Sequence, residues 1–272
     1  MIRGMGLYLD GRLVEEGDST FSGEIPGDAV ALRERLAKLF ATAQSHDQQF
    51  VWIGLFEPSR AELNLVKDVF DLPELQVDDA ANHRQRPKVE FESNASLVIV
   101  KILSYYEQTS DVETGQLSIF IGDHFILTVR YGPLGDISRI RRRLESDPAF
   151  LRNGPTAVAH AILDATVDGY LAVAEEISRD IEQLEEQVFS PARTNDAEMI
   201  YRVKRENLEM RRAVGWIERV QAVGDLPAVR DPIAVGIPIV GIEPMGELIR
   251  VAQAVAVGIV FEIADRIERR RG

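Results

Sequence analysis

The chain divides into three regions by its hydrophobic and polar pattern. Residues 1–154 mix alternating and helical patterns, residues 155–222 follow heptads, and prolines interrupt residues 223–272. Alternation with a period of two predicts strands, whereas apolar residues three or four positions apart predict helices. We therefore predict an α+β domain, then a long antiparallel helical hairpin, then a C-terminal stalk-like helix.

The first region opens with a predicted hairpin. In GLYLDGRLVEE, two short strands flank Asp10 and Gly11, both of which tolerate positive φ. Helical spacing over 28–40 and the buried strand FVWIGLF follow. Ser59, with Glu62 three residues later, predicts a capping box that starts the helix RAELNLVKDVF.

A set of strands follows Pro87. KVEFE alternates, SLVIVKILSYY is rich in β-branched residues, and QLSIFIGDHFILTVRY predicts two strands around Gly122 and Asp123. The polar segment EQTSDVETG between the second and third of these strands predicts an exposed loop. Together the strands predict an antiparallel meander, so the sheet should be mostly antiparallel.

Two heptad seams define the helical hairpin. The members of each seam are alternately four and three residues apart, a pattern that places them on one stripe of a long helix. The first seam comprises Leu163, Val167, Tyr170, Ala174, Ile177, Ile181, Leu184 and Val188, and the second comprises Ile200, Val203, Asn207, Met210, Val214 and Ile217. The short connection between the seams predicts antiparallel packing of the two helices.

The sequence as written predicts no membrane span and a cytoplasmic location. Its most apolar C-terminal stretches, 232–242 and 251–261, are uncharged runs of 11 residues each. Crossing a bilayer takes about 20 apolar residues. The N-terminus MIRGMGLYLDGRL shows no secretion signal.

Composition and charge limit the partners and the kinds of site that we expect for this chain. A net charge of −13 argues against nucleic-acid partners and favours cations, and the lack of cysteine excludes thiolate metal sites and disulfides. The four histidines are scattered, and no nucleophile elbow, P-loop or zinc-protease motif occurs. We therefore expect a protein that is not an enzyme.

The segment VDDAANHRQRPKVEFE holds the first candidate site. Asp78 and Asp79 precede Arg84, Arg86 and Lys88, so the two carboxylates are interpreted either as loop residues that cap and pair locally or as ligands of a cation. Ligation by oxygen alone, without histidine or cysteine, favours magnesium or calcium over zinc or copper.

A second group of carboxylates lies on the first long helix. Asp164 and Asp168 either occupy its first turns, where the helix dipole favours negative charge, or contribute to a cation site. The acidic stripe from Glu175 to Glu185 is interpreted as pairing with basic residues of the second helix, since like charges four residues apart repel each other.

Four segments resemble the cytoplasmic domain of CorA-like magnesium transporters, over roughly residues 45–220. They are FVWIGLFEPSRAEL, LQVDDAANHRQRPKVEFE, LSIFIGDHFILTVR and AILDATVDGYLAVAEEISRDIEQLEEQVF. The resemblance implies an α/β/α cytoplasmic domain in a homopentamer, with magnesium between neighbouring domains holding a channel closed. Cobalt or another divalent cation is the alternative ligand.

The resemblance also implies metal ligands. Asp78 and Asp79 match one side of the intersubunit site, with Asp79 the principal match, and Asp164 and its neighbour Asp168 match the adjacent secondary site. The stretch EPMGELIR offers Glu243 as the ligand from the facing subunit's stalk.

The sequence departs from the family pattern near its end. The transmembrane helices and the Gly-Met-Asn signature are missing, and Pro238, Gly241 and Pro244 interrupt the expected stalk. The protein is therefore expected to reach a membrane only through transmembrane helices that this sequence lacks, at the cytoplasmic face of the cell membrane. Two functions follow: a magnesium-sensing domain of a transporter, or a scaffold of the same fold that has lost transport.

Overall fold

The computed structural model describes residues 2–17, 26–108, 111–132, 137–188 and 197–214. The predicted C-terminal stalk-like helix lies outside these residues. The domain boundaries at 154 and 222 remain predictions.

One seven-stranded sheet organises the protein, with the strand order β2-β1-β3-β7-β6-β5-β4. All neighbouring strands are antiparallel except β3 and β7, which are parallel. The prediction of a mostly antiparallel sheet is confirmed. The strands are β1 (Ile2–Leu9), β2 (Arg12–Gly17), β3 (Gln49–Phe56), β4 (Lys88–Phe91), β5 (Ser96–Tyr106), β6 (Asp111–Ile121) and β7 (Phe125–Tyr131).

Helices cover both faces of this sheet. The first three in chain order pack on one face and the last four on the other, which gives the α/β/α layers that the resemblance implied. The helices are α1 (Pro26–Gln44), α2 (Arg60–Phe70), α3 (Glu74–Ala81), α4 (Ile137–Glu145), α5 (Pro148–Leu151), α6 (Pro155–Val188) and α7 (Ala197–Val214).

Strand alternation divides the apolar residues of the sheet between two cores. Along β3, Phe50 and Trp52 point to the core under α4–α7, and Val51 and Ile53 point to the core under α1–α3. Successive side chains of a strand face opposite sides of the sheet, so each strand contributes to both cores. The sheet therefore separates the two helical layers completely along β3.

Local chemistry sets two of the predicted features. Asp10 and Gly11 have φ of 50° and 76°, as a two-residue hairpin of this twist requires. The Ser59 backbone N–H donates to the Glu62 carboxylate at 2.8 Å, and the Glu62 N–H donates to the Ser59 hydroxyl at 3.2 Å. The capping box at the start of α2 is confirmed.

Two segments predicted as loops are regular structure. The segment holding Asp78 and Asp79 is the helix α3, which buries Val77 and Ala80 against the sheet. Glu107 and Gln108 lie outside the strands, but β6 begins at Asp111, which pairs with Tyr106 of β5. In both segments tertiary packing or strand pairing overrides a polar, turn-like sequence.

Within the described part of the chain, α6 is the one helix long and apolar enough to cross a membrane, and 61% of its most apolar window is buried in the protein. Its Leu163, Val167 and Tyr170 join the sheet core, and α7 packs beside it. The apolar stripe of α6 therefore serves the core of this domain.

Candidate metal centre

Helix α3 displays the first candidate carboxylates. Because Val77 and Ala80 anchor the helix to the sheet, the neighbouring Asp78 and Asp79 lie toward its outer side. The Asp78 side chain is 50% exposed and the Asp79 side chain 25% exposed. Both carboxylates are therefore accessible to a ligand from solvent or from another chain.

Asp79 is the more strongly held of the two. Its carboxylate accepts hydrogen bonds from the Gln85 amide and from the Lys88 ammonium, which also contacts Glu90 at 2.5 Å. Burial lowers the pKa of Lys88, but its hydrogen bonds to Asp79 and Glu90 outweigh this effect and raise the pKa above its usual value. Lys88 therefore remains protonated and positively charged beside Asp79.

Asp78 pairs with a cation from another helix. The Arg60 guanidinium at the start of α2 lies 2.5 Å from its carboxylate. Of the nearby cations that the sequence offered, Lys88 contacts the acidic pair, whereas within the described residues Arg84 and Arg86 form no ion pair with it. The Arg60 contact was missed because Arg60 lies 18 residues before Asp78 in the sequence and only the packing of α2 on α3 joins them.

Asp164 and Asp168 lie well inside α6. The helix begins at Pro155 and has no acidic residue in its first turn, so the interpretation that places them there for the helix dipole is wrong. Asp164 lies 3.9 Å from Arg143 of α4. Burial and the charge of Asp164 raise the pKa of Asp168, and Arg143 opposes this shift. A further cation beside Asp164 and Asp168 would reduce the repulsion between their carboxylates.

The two carboxylate pairs lie in different layers. Asp78 and Asp79 belong to α3, in the α1–α3 layer, and Asp164 and Asp168 belong to α6, on the opposite face of the sheet. Within the described residues no group of three or more His, Asp or Glu side chains could hold a metal ion. Glu243 lies outside the described residues. One chain therefore does not bring Asp78 and Asp79 together with Asp164 and Asp168 in a single site.

The acidic stripe of α6 is not paired as predicted. Within the described parts of α6 and α7, no ion pair joins the two helices. Glu176 pairs with Arg179 of its own helix at 2.7 Å, and Arg205 of α7 pairs with Asp111 of β6. Arg205 of α7 therefore pairs with the sheet rather than with this stripe.

Sequence reasoning also missed a buried acid. Glu206 of α7 is 1% exposed, and neither of its carboxylate oxygens has a hydrogen-bond partner within the described residues. Burial and the charge of Asp180 raise the pKa of Glu206 to about 7, while Arg202 opposes the shift. Its spacing of three and four residues from Val203 and Met210, both buried, was the available signal.

The fold matches two solved domains, one described as soluble and one as cytoplasmic. The soluble domain of CorA from Methanocaldococcus jannaschii gives a TM-score of 0.55 at 16% identity, covering 98% of this chain and 96% of that one. The cytoplasmic domain of ZntB from Vibrio parahaemolyticus gives 0.56 at 11% identity, covering 100% and 99%. The class of fold is therefore the α/β/α domain that these proteins share.

Sequence comparison gives the family. The model of the family described as CorA-like Mg²⁺ transporter protein matches residues 47–225, and the chain belongs to this family, which is one of transporters. The cobalt/magnesium transport protein CorA of Thermotoga maritima is 26% identical over 172 residues, which is 62% of this chain and 49% of that protein. The chain thus spans about half the length of the curated relatives it matches.

Proposed function

We propose that this chain is the cytoplasmic, magnesium-sensing part of a divalent cation transporter and works as a homo-oligomer, a pentamer by family resemblance. Mg²⁺ binds between two copies, with Asp78 and Asp79 contributed by one copy and Asp164 and Asp168 by the next. Glu243 is a further ligand in this proposal. Co²⁺ or another divalent cation is the alternative occupant.

The observation that carries the proposal is the separation of the two exposed carboxylate pairs onto opposite layers of one sheet. The sheet between them prevents a common site within a chain, whereas neighbouring copies can bring α3 of one against α6 of the next. Carboxylate oxygens are the ligands that Mg²⁺ prefers, and two pairs supply several of them.

The charges on the two sides suit this division. At α3, the metal ion would compete with Lys88 for Asp79 and with Arg60 for Asp78, because each cation already neutralises its carboxylate. At α6, burial and the charge of Asp164 raise the pKa of Asp168, so a divalent cation would relieve the repulsion between the two carboxylates. The competition at α3 weakens metal binding, as a sensor that must release its ion requires.

Sensing follows from linkage. A metal ion that bridges two copies stabilises the symmetric assembly by an amount that grows with the logarithm of its concentration above the dissociation constant, and the assembly loosens when the ion dissociates. At a concentration of about 100 times the dissociation constant, such a ligand contributes about 2.7 kcal/mol to the stability of the bound form. In the full transporter this would hold the channel closed when magnesium is abundant.

The test compares Asp79→Asn with Asp68→Asn in the full chain. Asp68 is an exposed aspartate of α2, 3.6 Å from Arg33, and so provides a matched loss of charge outside the site. We expect Mg²⁺ to raise the unfolding midpoint and promote oligomers, by sedimentation, in the wild type and Asp68→Asn but not in Asp79→Asn.

Two results would overturn the proposal. One is a wild-type chain whose unfolding midpoint and oligomeric state are the same with Mg²⁺ and with chelator. If that chain is an oligomer under both conditions, the result favours the scaffold function. The other is an Asp79→Asn chain that responds to Mg²⁺ as fully as the wild type does.

A further inference from the structure

A basic cavity of about 430 Å³ lies between the segment 84–87, Lys101 of β5 and Thr114 of β6, and the C-terminal end of α7. It is unusual in a chain with a net charge of −13. Its lining contains a single carboxylate, Glu209, and five cationic side chains, which are Arg84, Arg86, Lys101, Arg211 and Arg212.

Lys101 forms the half-buried base of this cavity. Its ammonium donates to the His83 carbonyl oxygen at 3.1 Å and to the Gln116 amide oxygen at 2.9 Å, both of which are neutral acceptors. Burial lowers the pKa of Lys101, and the charge of Glu209 only partly opposes this shift. A bound anion would supply a counter-charge that compensates for the hydration the ammonium loses on burial.

The arginines around Lys101 are available for a ligand. Arg212 pairs with Glu209 at 2.7 Å, but within the described residues the guanidinium groups of Arg84, Arg86 and Arg211 form no ion pair. All three are exposed at the surface of the cavity. A guanidinium presents paired N–H donors in a plane, which matches two oxygens of a phosphate group.

The lining also limits the kind of anion. None of the residues that line the cavity is aromatic, so a nucleotide base would find no ring on which to stack. Gln85 and Thr114 add neutral hydrogen-bonding groups at the wall. Recognition would therefore be directed at a multiply charged, oxygen-rich group rather than at an attached organic moiety.

We infer that this cavity binds a phosphate-class anion with two or more negative charges, such as an inorganic polyphosphate or the phosphate chain of a nucleotide. Lys101 contacts the anion from the base of the cavity, and Arg84, Arg86 and Arg211 contact it from the rim. The cavity adjoins the proposed metal-binding side of the molecule, because Gln85 lines the cavity and also donates to Asp79. The anion site itself needs no metal.

The test is calorimetric titration of the full chain with tripolyphosphate and with ATP, at low ionic strength and in buffer stripped of divalent cations. These two ligands carry the same phosphate chain without and with a nucleoside. We expect saturable binding of both at one site per chain, with affinities within about threefold of each other, because the cavity offers the nucleoside nothing to stack on. Nucleotide binding more than tenfold tighter would contradict the assignment.

Variants locate the site. Arg86→Gln and Arg211→Gln each remove an exposed side chain without an ion-pair partner within the described residues, and each should weaken tripolyphosphate binding at least tenfold while leaving the unfolding midpoint unchanged. Arg12→Gln removes an exposed arginine of β2, outside the cavity, and should leave binding unchanged. Absence of saturable binding to the wild type would overturn the inference, as would equal losses in Arg12→Gln and Arg211→Gln. Because the titrations contain no divalent cation, their outcome does not depend on the proposed magnesium site.

Discussion

The two faces of the sheet hold their acidic residues in different ways. On the α3 face, Asp78 and Asp79 each contact a cation directly, Arg60 and Lys88 respectively. On the opposite face, Asp168 and Glu206 lie close enough to other carboxylates for repulsion to contribute to the rise in their pKa values.

This difference indicates which layer an added proton or cation should stabilise. Asp78 and Asp79 are neutralised within the chain, so an added cation must displace an existing partner. Asp168 of α6 and Glu206 of α7 are stabilised by an added proton or cation, because burial and neighbouring negative charge disfavour their ionised forms. The α6 and α7 layer should therefore be the more sensitive of the two to pH.

The largest expected effect comes from Glu206→Gln. A carboxyl whose folded pKa is raised from 4.5 to about 7 destabilises the fold progressively as pH rises through that interval, since the unfolded chain ionises first. Asp180 of α6, Asp111 of β6, and Arg202 and Arg205 of α7 all act on this carboxyl.

The substitution removes that ionisation. By denaturant unfolding we expect Glu206→Gln to exceed the wild type by up to about 3 kcal/mol near pH 8, and by less than about 1 kcal/mol near pH 5. Glu198→Gln, at an exposed position of the same helix, should change the stability by less than about 1 kcal/mol at either pH. A pH-independent difference for Glu206→Gln would refute the contrast between the two faces.

Next in size is Lys88→Gln, which removes the cation that competes for Asp79. Mg²⁺ should bind about tenfold more tightly to this variant, equivalent to about 1.4 kcal/mol, as measured by the metal dependence of the unfolding midpoint. Lys67→Gln is the matched control, because Lys67 is similarly exposed and lies 3.9 Å from Glu74 on the same face. Unchanged affinity in Lys88→Gln would show that Lys88 does not compete.

A smaller effect is expected from Ser59→Ala, which breaks the capping box at the start of α2. The fold should lose about 1 kcal/mol in denaturant unfolding, because the Glu62 backbone N–H loses the hydroxyl oxygen that accepts its hydrogen bond. Arg60, the next residue, should then hold Asp78 less firmly. Ser93→Ala, in the loop between β4 and β5, should cost less than half as much; equal losses would argue against the cap.

The smallest effect is expected from Arg143→Gln. Arg143 lowers the pKa of Asp168 and lies 3.9 Å from Asp164, but its side chain is largely exposed, so solvent screens the interaction. The pKa of Asp168, followed by carboxyl NMR, should rise further, with a stability change of only a few tenths of a kcal/mol. A fall in that pKa would contradict the assigned charges.

Features set by local chemistry were predictable from the sequence. The turn at Asp10 and Gly11 needs residues that tolerate positive φ, and the capping box needs Ser59 and Glu62 three residues apart. Helix α3 was not predictable in this way, because Pro73 precedes it without a side-chain cap. Burial of its apolar side against the sheet compensates for the missing cap.

The candidate site was predictable only in part. The sequence identifies the acidic residues, but the sheet that divides them into two layers is a property of the fold. On α7, the heptad seam selected Asn207, whereas Glu206 is the residue that is buried. The helix packs against β5 and β6 as well as α6, so its buried face is wider than a two-helix seam.

The central claim is that the metal site is divided between copies, and mixing two variants tests it most directly. An Asp79→Asn chain and an Asp164→Asn chain each lack one side of the site. A mixed pair has an intact site where α3 comes from the Asp164→Asn chain and α6 comes from the Asp79→Asn chain. We predict that Mg²⁺ promotes association, followed by sedimentation, in the mixture and in neither variant alone. A mixture that responds no better than its separate components would contradict the divided site.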